Sequence, residues 1–183
     1  MNELNMKNYK VELQKDNERN TKFLKEFEEW LNNKNMSQKT ITKHLNNMSL
    51  YLSCYLNYYE ETPMEQGIDM AYDFLSDWFI RKCIYASRTS IIEHASSIKK
   101  FYCCMKEKNY VSEEEYKELC AMIKSNTNKF LRNLRKIECS NDDYWGLWGK
   151  KFAPWRERLT YVALIFCSKI KALRRFNTIL KSD

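Results

Sequence analysis

The sequence predicts an all-α protein, and three observations carry that prediction. Only three glycines and two prolines occur in 183 residues, whereas hairpins, phosphate loops and bulged sheets draw on both at their turns. Hydrophobic residues make up 44% and aromatics 14%, enough apolar surface for a packed core and too much for a disordered chain. Apolar residues recur at intervals of three and four along most of the chain, the spacing of one helix face.

The elements follow in order. Residues 1–20 are polar and read as a loose leader or a short, weak helix. Helix one carries Phe23, Phe27, Trp30 and Leu31 and stops at Asn32-Asn33-Lys34-Asn35. Ser37 is the expected N-cap of a second helix, with Ile41, Leu45, Met48, Leu52 and Tyr55 as its buried stripe and an end near Tyr59. At Thr62-Pro63-Met64-Glu65 threonine can cap, proline suits the first helical position and glutamate can close a capping box, so a third helix opens there or after Gly67. Ala71, Phe74, Leu75, Trp78 and Phe79 carry it to about Ile84. Ser87-Arg88-Thr89-Ser90 starts a fourth helix with the seam Ile91, Ala95, Ile98, Tyr102 and Met105, ending at Lys108-Asn109. A capping box at Ser112-Glu113-Glu114-Glu115 launches a fifth, with Tyr116, Leu119, Met122 and Ile123 inward, as far as Lys124.

Charge divides the chain unevenly. The formal charge is +7, yet residues 1–125 sum to −1 and residues 126–183 to +8. The organisation expected is a polar leader at 1–20, a helical domain at 21–125 and a basic helical extension at 126–183. That extension holds a basic stretch from Lys129 to Lys136, an aromatic loop at Tyr144-Trp145-Gly146-Leu147-Trp148 and a last helix from about Trp155 to Leu180.

Several classes fall away. The longest apolar run, Tyr161 to Cys167, is far below the roughly 20 residues that cross a bilayer. The N-terminus lacks the apolar centre of a secretory signal, so a cytoplasmic location is expected. Seven cysteines form no C-x-x-C pair and only His44 and His94 accompany them. The thiols are therefore expected to fill the core or sit on helix surfaces, with no metal and no cofactor; zinc is the alternative weighed against this.

Five motifs occur in order between Phe23 and Lys124: Phe27-x-x-Trp30-Leu31, Ser37-x-x-Thr40-Ile41, Arg88-Thr89-Ser90-Ile91, Ser97-Ile98-Lys99-Lys100-Phe101-Tyr102 and Tyr110-Val111-Ser112. In that order and spacing the segment resembles the N-terminal core-binding, SAM-like domain of tyrosine recombinases, the phage integrase family. The resemblance implies an orthogonal bundle of four to five helices. It implies half of a clamp around double-stranded DNA, in site-specific recombination or integration, and no small-molecule substrate. Catalysis in that family uses an arginine in a T-G-L-R-like turn, an H-x-x-R box, a second arginine and a tyrosine nucleophile. Here His44 is followed by Leu45-Asn46-Asn47 and His94 by Ala95-Ser96-Ser97, and no histidine comes later. Arg158 to Phe166 is similar to the opening helix of the catalytic domain, but Ser168-Lys169-Ile170-Lys171 stands where the arginine turn belongs. No enzymatic role is therefore expected, and a catalytic recombinase subunit or a second copy of the chain joins DNA among the expected partners.

The expected DNA-contacting set is Lys39, Thr40, Lys43, Arg88, Thr89, Lys99, Lys100 and Lys106. Lys39 and Lys43, with Asn46 and Asn47, face away from the stripe of the second helix. Arg88, Lys99 and Lys106 share one meridian of the fourth helix over ~27 Å, with Lys100 about 100° further round, a row that suits phosphates across a groove. Thr40, Thr89 and Ser90 near helix starts add hydroxyl and backbone donors. Lysines opposite an apolar stripe are equally what a solvated helix face shows, and both readings stand. His44 reads as a surface or boundary histidine with a satisfied hydrogen bond, and His94 as structural. The helix of 155–181 carries both apolar and basic residues; it either packs on the bundle with an added nucleic-acid contact, binds a protein partner, or lies on an anionic membrane surface. Trp145, Trp148 and Trp155 read as a hydrophobic cluster beneath it. The function expected is non-catalytic DNA binding through phosphates; the alternative is a helical interaction or oligomerisation module.

Overall fold

In the computed structural model the backbone is described for residues 3–58 and 62–148, and side chains for residues 18–58 and 62–137. The protein is all-α: the described residues form five helical rods and no strand. They are α1 (Glu3–Asn33); α2 (Gln38–Leu50), which widens into a π-helical turn at Tyr51–Tyr55; α3 (Gly67–Asp73), which passes through a second π-helical turn at Phe74–Trp78 into α4 (Phe79–Lys82); α5 (Arg88–Glu107); and α6 (Glu113–Trp148). The chain divides into two compact units, Met1–Ile137 and Glu138–Asp183.

Helix starts follow their capping residues. The Ser37 side chain accepts the Thr40 N–H, and Ser87 and Ser90 satisfy each other's backbone N–H groups. At α6 the Ser112 N–H donates to Glu115 at 2.7 Å and the Glu115 N–H returns to the Ser112 hydroxyl at 3.2 Å. Each such cap is worth about 1 kcal/mol. Helix ends solve a different problem, because this glycine-poor chain must still turn. Asn35 (φ 55°) and Asn109 (φ 61°) take the left-handed conformation that usually falls to glycine just past a helix. The Tyr110 N–H then reaches back to the Met105 carbonyl at 2.9 Å.

The core is aromatic. Phe27 of α1 meets Phe101 of α5 edge to face at 5.4 Å. The two π-helical turns face each other through Tyr51, Tyr55, Phe74 and Trp78, with ring centroids 4.9–5.8 Å apart. All five residues expected inward on α3 and its continuation are buried, as are all five seam residues of α5.

The structure departs from or refines expectation at several places. α1 begins at Glu3, where a loose leader or a short, weak helix was expected through residue 20; no glycine or proline interrupts it before Asn33. The buried Asn20 side chain within it donates to the Leu52 carbonyl at 3.3 Å. Of the two starts left open for the third helix, at Thr62 or after Gly67, the structure takes the second: residues 64–66 form a turn and α3 begins at Gly67. The Met64 carbonyl receives the Tyr102 hydroxyl at 2.8 Å, so tertiary bonding decides between them. α6 continues straight through position 125, where a domain boundary was expected. Phe130, Leu131 and Leu134 are buried, Phe130 lies 5.7 Å from Tyr72, and the Asn133 amide donates to the Ser76 carbonyl at 2.9 Å. Tyr144 to Trp148, expected as a loop, has helical backbone within α6; the expected helix of 155–181 and the role of Trp155 lie outside the described residues.

Candidate nucleic-acid interface

Where α2 crosses α5, the Ser97 hydroxyl donates to the Glu93 carbonyl at 2.8 Å and receives the Asn47 amide at 2.9 Å. His44 Nδ1 lies 2.8 Å from the same oxygen. These bonds and the buried Ile98 and Phe101 fix the rotation of α5 about its axis. Lys99 and Lys100 consequently emerge at the edge of the core, half-buried. They line an open groove of about 680 Å³ together with Trp30 of α1 and Tyr116, Lys124 and Thr127 of α6.

Two walls of the groove are stiff. The Trp30 indole N–H donates to Glu107 at 2.6 Å, and Lys34 lies 5.0 Å from the Trp30 ring centroid while pairing with Glu107 at 3.7 Å. Opposite, Lys106 pairs with Glu113 at 2.9 Å and sits 4.9 Å over the Tyr116 ring. Through that hydrogen bond each group of the pair stabilises the other's charge, so the Lys106 ammonium is raised and the Glu113 carboxyl lowered from its ordinary value. Lys99, Lys100 and Lys124 have no carboxylate partner among the described residues. Burial, then the charges of Lys100 and Lys43, push the His44 imidazole below its ordinary pKa.

The eight expected residues do not form one site. Lys99 and Lys100 come together in the groove. Lys43 is paired with Glu93 at 2.9 Å, and Lys106 with Glu113, so neither presents a bare charge. The Thr40 hydroxyl is 2.9 Å from Ser37 inside the α2 cap. Lys39 is exposed one turn before Lys43, and Arg88 and Thr89 are exposed in the first turn of α5, about 16 Å along the helix from Lys99. The row of Arg88, Lys99 and Lys106 is therefore interrupted at Lys106. His44, expected at the surface or boundary, is buried, and so is His94.

Sequence reasoning missed Lys124, which it placed at the end of a helix. On a helix that continues, Lys124 shares a meridian with Arg135, eleven residues on, and Arg132 lies about 60° to one side. Lys124, Arg132 and Arg135 are exposed, so α6 extends the cationic surface away from the groove. The readable signal was that spacing, once the helix is known not to stop.

Among the described residues no three His, Cys, Asp or Glu side chains gather to hold a metal ion, and no helix is long and apolar enough to cross a membrane. No protein-family model, curated protein or solved structure matches the chain.

Proposed function

We propose that this protein binds double-stranded DNA without cleaving it, as a module like the core-binding half of a recombinase clamp, and that the groove between α5 and α6 is the contact surface. One observation carries the reading: Lys99, Lys100 and Lys124 converge on one open groove with no carboxylate partner among the described residues. Three ammonium groups held on two packed helices are preorganised for phosphate oxygens, and Arg88, Arg132 and Arg135 stand exposed on the same two helices to extend the track. Contacts of this kind read the backbone rather than the bases. The burial of both histidines supports a binding rather than a catalytic role. If about five phosphates are neutralised, log K falls by ~4–5 per decade of salt. Fluorescence anisotropy of labelled duplexes of two unrelated sequences at two salt concentrations tests this. Similar affinities with a steep salt slope are expected; a flat response refutes the reading.

A second reading, an interaction module for a recombinase subunit or for self-association, is favoured by one observation. Ile84, Tyr85 and Ile92 are 71%, 57% and 44% exposed around the α4–α5 connection. Light scattering with and without Ile84→Ser and Ile92→Ser separates the two: a mass that falls toward the monomer, with DNA affinity unchanged, assigns this patch to association alone.

A further inference from the structure

α6 carries a second charge pattern on the side turned away from the core. Leu119, Ile123, Phe130 and Leu134 are buried and share one ~60° arc of the helix. Opposite them runs an exposed stripe at steps of four and three: Glu114 and Glu118 at one end, Arg132 and Arg135 at the other, with Ala121, Ser125 and Asn128 between. None of its four charges has an oppositely charged partner among the described residues. The neighbouring Glu113 takes Lys106 and Lys117, and Glu115 closes the cap with Ser112. The helix dipole accounts for Glu114 in the first turn, but not for Glu118 in the second or for two arginines well short of the end at Trp148.

The stripe is complementary to itself. Glu118 stands seven residues before Ser125 and Arg132 seven after it; Glu114 stands eleven before and Arg135 ten after. A two-fold axis at Ser125 therefore brings each acidic residue of one copy opposite an arginine of the other, ~10 Å and ~16 Å from the axis on either side. A parallel pairing in register sets glutamate against glutamate and arginine against arginine, so the charges also fix the direction.

We propose that α6 pairs through this face with α6 of a second copy, antiparallel, in a symmetric dimer joined by Glu114 to Arg135 and Glu118 to Arg132 in both directions. Ala121, Ser125 and Asn128 at the centre are small enough for the two axes to approach to the ~8–10 Å of packed helices, which lets the longer glutamate and arginine side chains meet across the seam. The stripe holds no large apolar residue, and exposed ion pairs are individually weak, so the dimer is a weak one that salt dissolves. This pairing rests neither on the DNA reading nor on the exposed Ile84 patch. Because Arg132 and Arg135 also belong to the proposed DNA track, its test is run without nucleic acid.

Sedimentation equilibrium of the full-length protein over a range of concentrations, at about 0.05 M and about 1 M salt, is the test. The mass is expected to rise toward twice that of the chain at low salt only. Glu114→Arg with Glu118→Arg, and Arg132→Glu with Arg135→Glu, should each raise the dimer dissociation constant at least about tenfold, as four attractions become repulsions. An equimolar mixture of the two variants, one stripe wholly basic and the other wholly acidic, should restore the dimer. Rescue of that kind requires both variants to be folded. The milder Glu114→Gln with Glu118→Gln removes the same contacts without adding charge and should also weaken association; no change overturns the proposal. A protein that stays monomeric at low salt, a dimer indifferent to salt, or reversed variants that keep the parent's circular dichroism but fail to rescue each other overturns it. So does a dimer abolished by Ile84→Ser and Ile92→Ser yet unmoved by the charge reversals.

Discussion

His44 Nδ1 lies 2.8 Å from Ser97 Oγ, and the bond has a fixed direction. The one proton of Ser97 goes to the Glu93 carbonyl, so the serine oxygen can only accept from His44 and from Asn47. His44 is therefore the Nδ1–H tautomer, and a buried serine holds α2 against α5. Replacing Ser97 with alanine leaves two donors without an acceptor, a loss of about 1–3 kcal/mol. Urea denaturation should register it as a lower midpoint with an unchanged slope. Stability equal to that of the parent would mean the network is not formed.

The buried histidines make the bundle acid-sensitive. His94 packs against Phe79 at 4.3 Å and Phe74 at 5.5 Å, and burial lowers it to about 4, the Glu93 charge opposing only in part. The unfolded chain, with a histidine near 6.5, binds more protons than the folded one between pH 6.5 and about 4, so stability falls as pH is lowered through that window. For His94 alone the full loss is about 3 kcal/mol. Denaturation at pH 7.5, 5.5 and 4.5 should show this decline, and His94→Phe should flatten it. A parent profile level across the window would rule the argument out.

Gly67 opens α3 at a point of close approach. A Cβ there would come within 2.7 Å of Leu56 Cδ1 and 2.8 Å of the Tyr102 hydroxyl, whose own bond to Met64 fixes it. Gly67→Ala should cost about 1–3 kcal/mol in overpacking, although alanine is the better helix former. A higher melting temperature for Gly67→Ala would show that the contact relaxes freely.

Much of the fold is legible in the sequence because it is local. Ser37, Ser87 and Ser112 announce three helix starts, and Asn35 and Asn109 stand where two helices end. The buried seam of α5 follows from spacing alone. What escaped is tertiary. Met64 gives its carbonyl to Tyr102, 38 residues away, which decides between the two starts that the sequence left open for α3. His44 rather than Leu45 takes the fully buried place on α2 because Ser97 waits for it. The site was half legible for the same reason: helical spacing placed Lys99 and Lys100 outward, but the carboxylates that neutralise Lys43 and Lys106 come from other elements, and Lys124 joins only because α6 does not stop.

That continuation is itself testable. Phe130 is buried against Tyr72 beyond the point where the charge changes. Phe130→Ala should cost about 3–5 kcal/mol, and the whole bundle should melt earlier as one transition by both circular dichroism and intrinsic fluorescence. A change of less than about 1 kcal/mol would place this part of α6 outside the cooperative unit.

The groove lysines carry the central claim. Duplex affinity of the parent and of the triple variant Lys99→Ala, Lys100→Ala, Lys124→Ala, measured by anisotropy from low to moderate salt, tests it most directly. The slope of log K against log salt should become shallower by about three, roughly one per lysine removed, with affinity falling alike on unrelated sequences. An unchanged slope and affinity in the folded triple variant would contradict the assignment.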